Sequence, residues 1–552
     1  MKSHFTSYIY ILLSILFFNH SFGQKLELKI SSNDSTSNSF LQNISYQKYH
    51  LSEKSILNTL DSVTLQIEKI GFFNHQLDTL IKKDSIYTAH FKLNNKIKII
   101  RIHYNINQIS FEPINPNYFE VAPKNLTKKL QQIVTTQEEK GNSFSEASLQ
   151  NITVINDTII EAQLALKKSS KRKIDKIIIT GYSNFPKAFL KHHLQLKEHT
   201  LFNKNKLNKA SMATNNLSFS SEIKAPEVLF TKDSTIVYLF IKKEKANRFD
   251  GLIGFTTNKT GKGLSFNGYL DLLLNNIFDS GENIDLSWKN NGNNQHSFNL
   301  DVSLPFIFNT RISPNVALSI YKQDSTFVNT SFKLTLPYHI NNRNAIGLTM
   351  HSENSSNLLT NTITTIEDYK STFFGINYNY TIANNHPLFK TKFNFYIEGL
   401  KGKRTNTNSN NQSKFNLQTN FLWSLNHKNH IFLQNRSGII NSKNLLTNEL
   451  FRVGGNNSIR GFDEESIPAS TYTTFNIEYR YATNNSSYLY SITDFGSIKN
   501  QNESSQLYSL GLGYAFLSKL GYINLGYAIG KYPNNSFNIN NSRIHLKIVN
   551  LF

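Results

Sequence analysis

From residue 249 to residue 552 the chain consists of short segments in which apolar and polar residues alternate, and this constrains the fold more than any other feature. Phe298, Leu300, Val302 and Leu304 alternate with Ser297, Asn299, Asp301 and Ser303. The same period of two returns in Phe475, Ile477, Tyr479 and Tyr481 against Asn476, Glu478 and Arg480, and in Ile544, Leu546 and Ile548 against Arg543, His545 and Lys547. Successive side chains of a strand point to opposite faces, so each segment has one apolar and one polar face. A soluble sandwich would show the same pattern. A membrane barrel is favoured because the apolar rows are heavy in Tyr and Phe, as interfacial girdles require, and because the last segment runs to Phe552.

The opening residues read as an export signal, with Lys2 and His4 ahead of an apolar core over residues 8–18, then Ser21 and Gly23, near which cleavage is expected. That core is too short to span as a helix, and no later run of about 20 apolar residues exists, which excludes a helical membrane protein. A closed barrel pairs all of its own backbone groups and is the remaining way to cross. The chain contains no cysteine, which removes disulfides, thiolate metal sites and cysteine nucleophiles. A net charge of +21 would suggest nucleic acid in a cytosolic protein; behind an export signal it does not. Basic clusters at residues 167–173 and 242–248 read first as solvated faces, with anionic lipid head groups or acidic client segments as the alternative. His192 and His193 read as surface residues of a helix, and neither HExxH nor GxSxG occurs, so no enzyme chemistry, metal or cofactor is expected.

The alternating segments number about sixteen, at roughly 19 residues for each strand and its connection, the even count of an antiparallel outer-membrane barrel. Odd-numbered connections should face outward and include the longer polar stretches 352–369, 401–414, 441–471 and 531–542, whereas 341–344, 426–429 and 518–521 are short turns. Ahead of the barrel (248–552), and after a signal peptide over 1–23, residues 24–96, 97–172 and 173–247 read as three related α+β units of roughly 75 residues in the order β-α-α-β-β. The third has a strand carrying Ile177 and Ile179, a helix carrying Phe189 and Leu190, a second helix after Asn203, and a closing hairpin over 223–230 and 235–241. In the second a strand at 97–102 and a helix at 126–140 precede the arms 147–154 and 158–166. The first has a strand at 26–30, a helix at 53–70, and the arms 76–82 and 85–93.

Residues 451–462 read FRVGGNNSIRGF. Here the chain resembles the superfamily of BamA, TamA and the two-partner-secretion transporters, in which polypeptide-transport-associated (POTRA) domains precede a sixteen-stranded barrel whose sixth outer loop folds into the lumen. The family's loop signature, a glycine pair and then an aliphatic-Arg-Gly-aromatic tetrad, matches Gly454 and Gly455, then Ile459, Arg460, Gly461 and Phe462, between the eleventh and twelfth strands. Its Asp-x-Gly on the thirteenth strand matches Asp494 and Gly496. The resemblance implies contact of Arg460 with Asp494 inside the barrel. Glu478, on the polar face of the twelfth strand, is the expected third member, since a guanidinium in a restricted lumen needs carboxylates in bidentate reach. Small residues recur on the inner faces of the next two strands, Ser509, Gly511, Gly513 and Ala515, then Asn524, Gly526, Ala528 and Gly530. They mark either a close approach by an inserted loop or simple curvature of the sheet.

Ile544, Leu546, Ile548 and Phe552 match the family's C-terminal assembly signal, with Asn550 as a departure. The resemblance implies an outer-membrane protein of a Gram-negative-type bacterium whose soluble units lie in the periplasm. Its expected partners are unfolded or partly folded client proteins, outer-membrane lipid and accessory assembly proteins, with no nucleic acid and no cofactor. Clients would be captured by strand addition at exposed sheet edges, expected at the closing hairpins, including 235–241. They would then be inserted at the seam between residues 252–257 and 543–552, or moved across through the lumen. A passive pore or structural barrel is the alternative.

Overall fold

The computed structural model describes residues 25–551 except 106–114, 116, 258–263, 291–294, 360–365, 385, 407–408, 457, 501–502, 519–520 and 534; side chains are also left aside at 252–257, 264–267, 541 and 547–551. The expected export signal and Phe552 lie outside the described residues. The chain divides into two compact bodies, Met1–Arg172 and Lys173–Phe552.

The first body holds two units. In the first of them the helix Glu53–Lys69 starts at Ser52, whose hydroxyl accepts the Ser55 N–H at 3.3 Å. It repeats Ile56, Leu60, Val63 and Ile67 along one face, and this stripe packs on Leu28, Ala89 and Phe91 of the sheet. The sheet runs Tyr49–His50, Leu26–Ser31, Ile86–Lys92, Gln76–Lys83. The second unit orders Tyr118–Val121, Ile99–His103, Ile159–Lys167 and Glu146–Asn156 beside the helix Pro123–Glu139.

The third unit belongs to the second body. Its sheet runs Ser220–Phe230, Thr235–Lys243, Lys176–Thr180, with helices Lys187–His192 and Lys204–Asn215. Asn203 caps the second helix by accepting the Lys206 N–H at 3.0 Å.

In all three units the last strand is inserted into the sheet, parallel to an earlier strand and antiparallel to its hairpin partner. The expected edge at 235–241 is therefore a central strand. Val237, Leu239 and Ile241 are almost fully buried, and a hairpin pattern does not reveal which arm a parallel strand will choose. The free long edges are Gln76–Lys83, Glu146–Asn156 and Ser220–Phe230, and each carries a register shift. Such bulges blunt an edge against indiscriminate pairing.

The barrel is antiparallel and sixteen-stranded, from Arg248–Thr257 to Ser542–Leu551, each strand beside its sequence neighbour in the sheet. Its ends meet at Arg248↔Leu551 and Phe249↔Asn550, whereas the first and second strands pair from Arg248↔Leu273 to Thr257↔Leu264. The seam pairs thus precede the stretch 252–257 expected to form it. Phe475, Ile477, Tyr479 and Tyr481 face outward, as do Ile544 and Leu546, while Asn476 and Glu478 are buried inside.

One expected outer loop is not a loop. The ninth and tenth strands, Thr391–Thr405 and Ser409–Ser424, pair up to Thr405↔Ser409 through most of 401–414. The outer face here is polar and exposed, with Lys401, Lys403 and Asn411, while the polar residues Arg404 and Gln412 of the inner face are buried, so a polar run does not mark the end of a strand.

The connection 304–314, on the side of the short turns, is long and joins the third unit to the barrel. Phe306 is 5% exposed and completes the core of that unit, with its ring 5.1 Å from Phe189, 5.0 Å from His339 and stacked on His192 at 5.5 Å. His192 Nε2 also lies 2.8 Å from the Asn309 carbonyl, so this histidine, expected at the surface, belongs to the joint. The preceding turn adds Asp279, 2.7 Å from Lys243 Nζ, and Asn276, whose amide donates to the Tyr182 hydroxyl at 2.7 Å. Lys243, from one of the basic clusters, thus has a carboxylate partner within the chain.

Candidate lumen anchor

Between the eleventh strand, Asn429–Ser442, and the twelfth, Thr471–Asn484, the chain makes a short helical turn at Thr447–Glu449 and a small hairpin of Phe451–Val453 with Ile467–Ala469. The tip of that hairpin carries the loop signature. Gly454 has φ of 117°, and a Cβ there would stand 2.3 Å from the Asp463 carbonyl oxygen, so the turn needs glycine. Ser458 accepts the Gly454 N–H on its hydroxyl at 2.7 Å, and its carbonyl accepts the Asn476 side-chain amide at 2.8 Å. This hydrogen bond fastens the tip to the twelfth strand.

Arg460 enters the wall as a buried, fully engaged cation. Its Nε and Nη2 donate to Asp494 Oδ2 and Oδ1 at 2.9 and 2.6 Å, its Nη1 donates to Glu478 Oε1 at 2.5 Å, and its backbone N–H also reaches Asp494 Oδ2 at 2.9 Å. The three residues are 6%, 2% and 6% exposed in the order Arg460, Asp494, Glu478. A forked guanidinium–carboxylate pair fixes orientation as well as charge. The structure thus brings together the arginine and both carboxylates singled out in the sequence.

Ile459 is fully buried with Val453, Phe462, Ile498 and Leu507. A Cβ on Gly496 would approach Ile459 Cδ1 to 3.1 Å, and one on Gly530 would stand 2.6 Å from the Gly461 carbonyl oxygen. Gly461 N–H reaches His545 Nε2 on the last strand at 3.3 Å. Of the small residues on the fourteenth and fifteenth strands, Gly530 makes room for the loop, whereas Gly513 makes room for Tyr490, whose Cζ a Cβ would approach to 2.1 Å. Of the C-terminal strand residues, Ile544 and Leu546 face outward, and Ile548 pairs through its backbone with Ile523.

Two parts of the anchor went unforeseen. Arg480 is a second cation on Glu478, with Nε and Nη2 both 2.7 Å from Oε2, so two arginines balance two carboxylates. Its signal was the i, i+2 spacing from Glu478, which puts both on the inner face. The base of the loop is held by Arg404 and Glu449, whose side chains are each 1% exposed and lie 2.6 Å apart, with Gln412 donating to Glu449 at 2.8 Å. No local pattern announces a pair so distant in sequence.

The comparisons bear on this geometry. The family model for the haemolysin secretion/activation proteins ShlB/FhaC/HecB matches residues 264–516. Among solved structures, CdiB from Acinetobacter baumannii aligns over 90% of this chain and 97% of its own, with a TM-score of 0.52 at 13% identity. CdiB from Escherichia coli gives the same values. No curated protein matches.

Proposed function

We propose that this chain is an outer-membrane barrel of the superfamily that holds BamA and the two-partner-secretion transporters, and that it takes a client polypeptide from the periplasm and passes it across the membrane through its lumen. Handling of proteins, without enzyme chemistry, is the role common to the superfamily. The observation that carries the finer reading is the match of most of the barrel to a family named for secretion and activation. The lumen suits the task. The loop tip is fastened to the wall of the twelfth to sixteenth strands, and cavities of about 330, 620 and 700 Å³ lie along the opposite wall. Ser297, Asn299, Ser319, Asn329 and Ser331 line the smallest, where Lys333 pairs with Glu398 and Lys414 with Glu353, while the largest adds charges of both signs, Lys289, Arg452, Glu464 and Glu465, and the third meets Phe189 and Phe306 of the joint. The hydroxyls and amides among these residues offer partners to the backbone of an extended chain.

Capture is assigned to the free edges of the soluble units, first to Gln76–Lys83, where Leu80 and Ile81 are exposed and the register is regular from Thr79 to Lys83. Outer-membrane lipid and accessory assembly proteins are proposed as further partners. The short seam favours one competing reading, insertion of clients between the first and last strands. Depleting the protein in its native host and comparing the secreted and outer-membrane proteomes tests these readings. Loss of one or a few secreted proteins with other barrels intact is expected. Broad loss of barrels would mark an insertase, and no change in either proteome a passive pore.

The chain has no cysteine, so a single disulfide can be introduced with Phe249→Cys and Asn550→Cys. Locking the seam should leave transport through the lumen intact. Arrest of secretion in the oxidised form would move the path to the seam.

A further inference from the structure

In the connection between the eighth and ninth barrel strands, Tyr369–Ala383 and Thr391–Thr405, Phe389 turns into the lumen. A register shift at Ile382/Ala383 re-aims the strand end just before it. Phe389, on this turn, is 5% exposed and packs with Leu422, Tyr488, Tyr490, Ile492, Ala515 and Ala528. Tyr488, Tyr490 and Ile492 share the inward face of the thirteenth strand with Asp494, two to six residues nearer the periplasmic turn. Phe389 therefore reaches from one side of the mouth to a wall several strands away, and lies between the anchor of Arg460 and the periplasm. Its ring meets Tyr488 at 4.9 Å and His430 at 5.0 Å, and His386 stacks on its other side at 4.8 Å.

The same aromatic layer holds Arg480. The guanidinium lies 3.8 Å from the ring of Phe432, 5.2 Å from Phe389 and 5.5 Å from Tyr488. A cation set among ring faces is attracted to each of them, more strongly where water is excluded. It also donates to one oxygen of Glu478, whose other oxygen takes Arg460. A continuous line of contacts thus runs from the periplasmic turn through Phe389, Arg480 and Glu478 to the loop tip.

We propose that Phe389 is a plug on the periplasmic side of the lumen and that Arg480 is a positioning residue coupling this plug to the loop anchor. A polypeptide entering from the periplasm displaces Phe389, takes one ring away from Arg480, and weakens the hold of Glu478 on Arg460. The loop is then loosened from the side on which the chain arrives. Coupling of this kind needs an element with two arrangements that both sites bias, and residues 386–390 are assigned that role.

The test uses the full chain and no client, so it stands or falls apart from the secretion reading. Conductance is recorded in planar bilayers, and a spin label on Asn456→Cys, the only cysteine, reports motion of the loop tip. Phe389→Ala should raise conductance severalfold and mobilise the label, and Phe389→Trp should restore both. Phe389→Leu keeps the apolar bulk but removes the ring face, so it should mobilise the label while conductance stays low. Arg480→Gln should mobilise the label with the plug in place, and Arg480→Lys, which keeps the charge but not the planar fork, should fall between Gln and the native residue. Unchanged conductance in Phe389→Ala would overturn the plug. A label that stays immobile in both Phe389→Ala and Arg480→Gln would overturn the coupling.

Discussion

Arg460→Ala should release the loop tip from the lumen wall and cost the folded barrel about 3 to 5 kcal/mol, because it leaves a buried carboxylate without its cation. Asp494 loses both partners of its forked contact, and no other side chain in the anchor donates to it. Glu478→Gln leaves Arg460 its forked contact with Asp494, so it should be milder than Asp494→Ala. Hydrogen exchange over residues 451–469 and the denaturation midpoint of the barrel measure the two effects. The paired change Arg460→Asp with Asp494→Arg separates contact from composition, since it keeps both charges and exchanges their places. It should recover much of the protection lost in either single variant. Equal protection in Arg460→Ala and the native chain would mean that the tip is held by Ile459, Phe462 and backbone contacts alone.

This pair was legible because two short motifs, far apart in sequence, each carry a residue type that has few reasons to sit in a lumen. Period-two alternation gave the sixteen strands for a similar reason: lipid on one side and a polar interior on the other impose opposite demands on neighbouring residues. Where the outward face is polar too, as at Lys401, Lys403 and Asn411, that opposition vanishes, and 401–414 resembles a loop in sequence although its inner residues Arg404 and Gln412 are buried. Sheet order in the soluble units failed differently. The hairpins were found from their patterns, but the parallel pairing that buries Thr235–Lys243 depends on where a strand more than fifty residues earlier docks. Arg404 and Glu449 show the same limit in the anchor, for each looks like an ordinary surface charge until the loop folds back. His192 and Phe306 lie on either side of the sequence boundary near residue 248, and the core of the third unit crosses that boundary.

That shared core supports the second large effect. Phe306 sits at φ 54°, ψ 41°, followed closely by Phe308 and Asn309, also at positive φ. The left-handed region is costly for a residue with a Cβ, by about 1 to 3 kcal/mol, and it persists only where surrounding contacts hold it. Here those contacts are Phe189, His192 and His339. Phe306→Ala removes them and keeps the backbone cost, so it should destabilise the joint by about 3 to 5 kcal/mol. Phe306→Gly removes the same ring but adopts the conformation freely, and should be less destabilised than the alanine variant by about 1 kcal/mol. Both should lose hydrogen-exchange protection in the helix Lys187–His192, while the paired interiors of distant barrel strands keep theirs. If the glycine variant is no better than the alanine variant, the turn carries no strain and packing alone fixes the joint. If neither loses protection in that helix, the joint rests on the Tyr182, Asn276 and Lys243 contacts to the preceding turn, and Phe306 only follows where they place it.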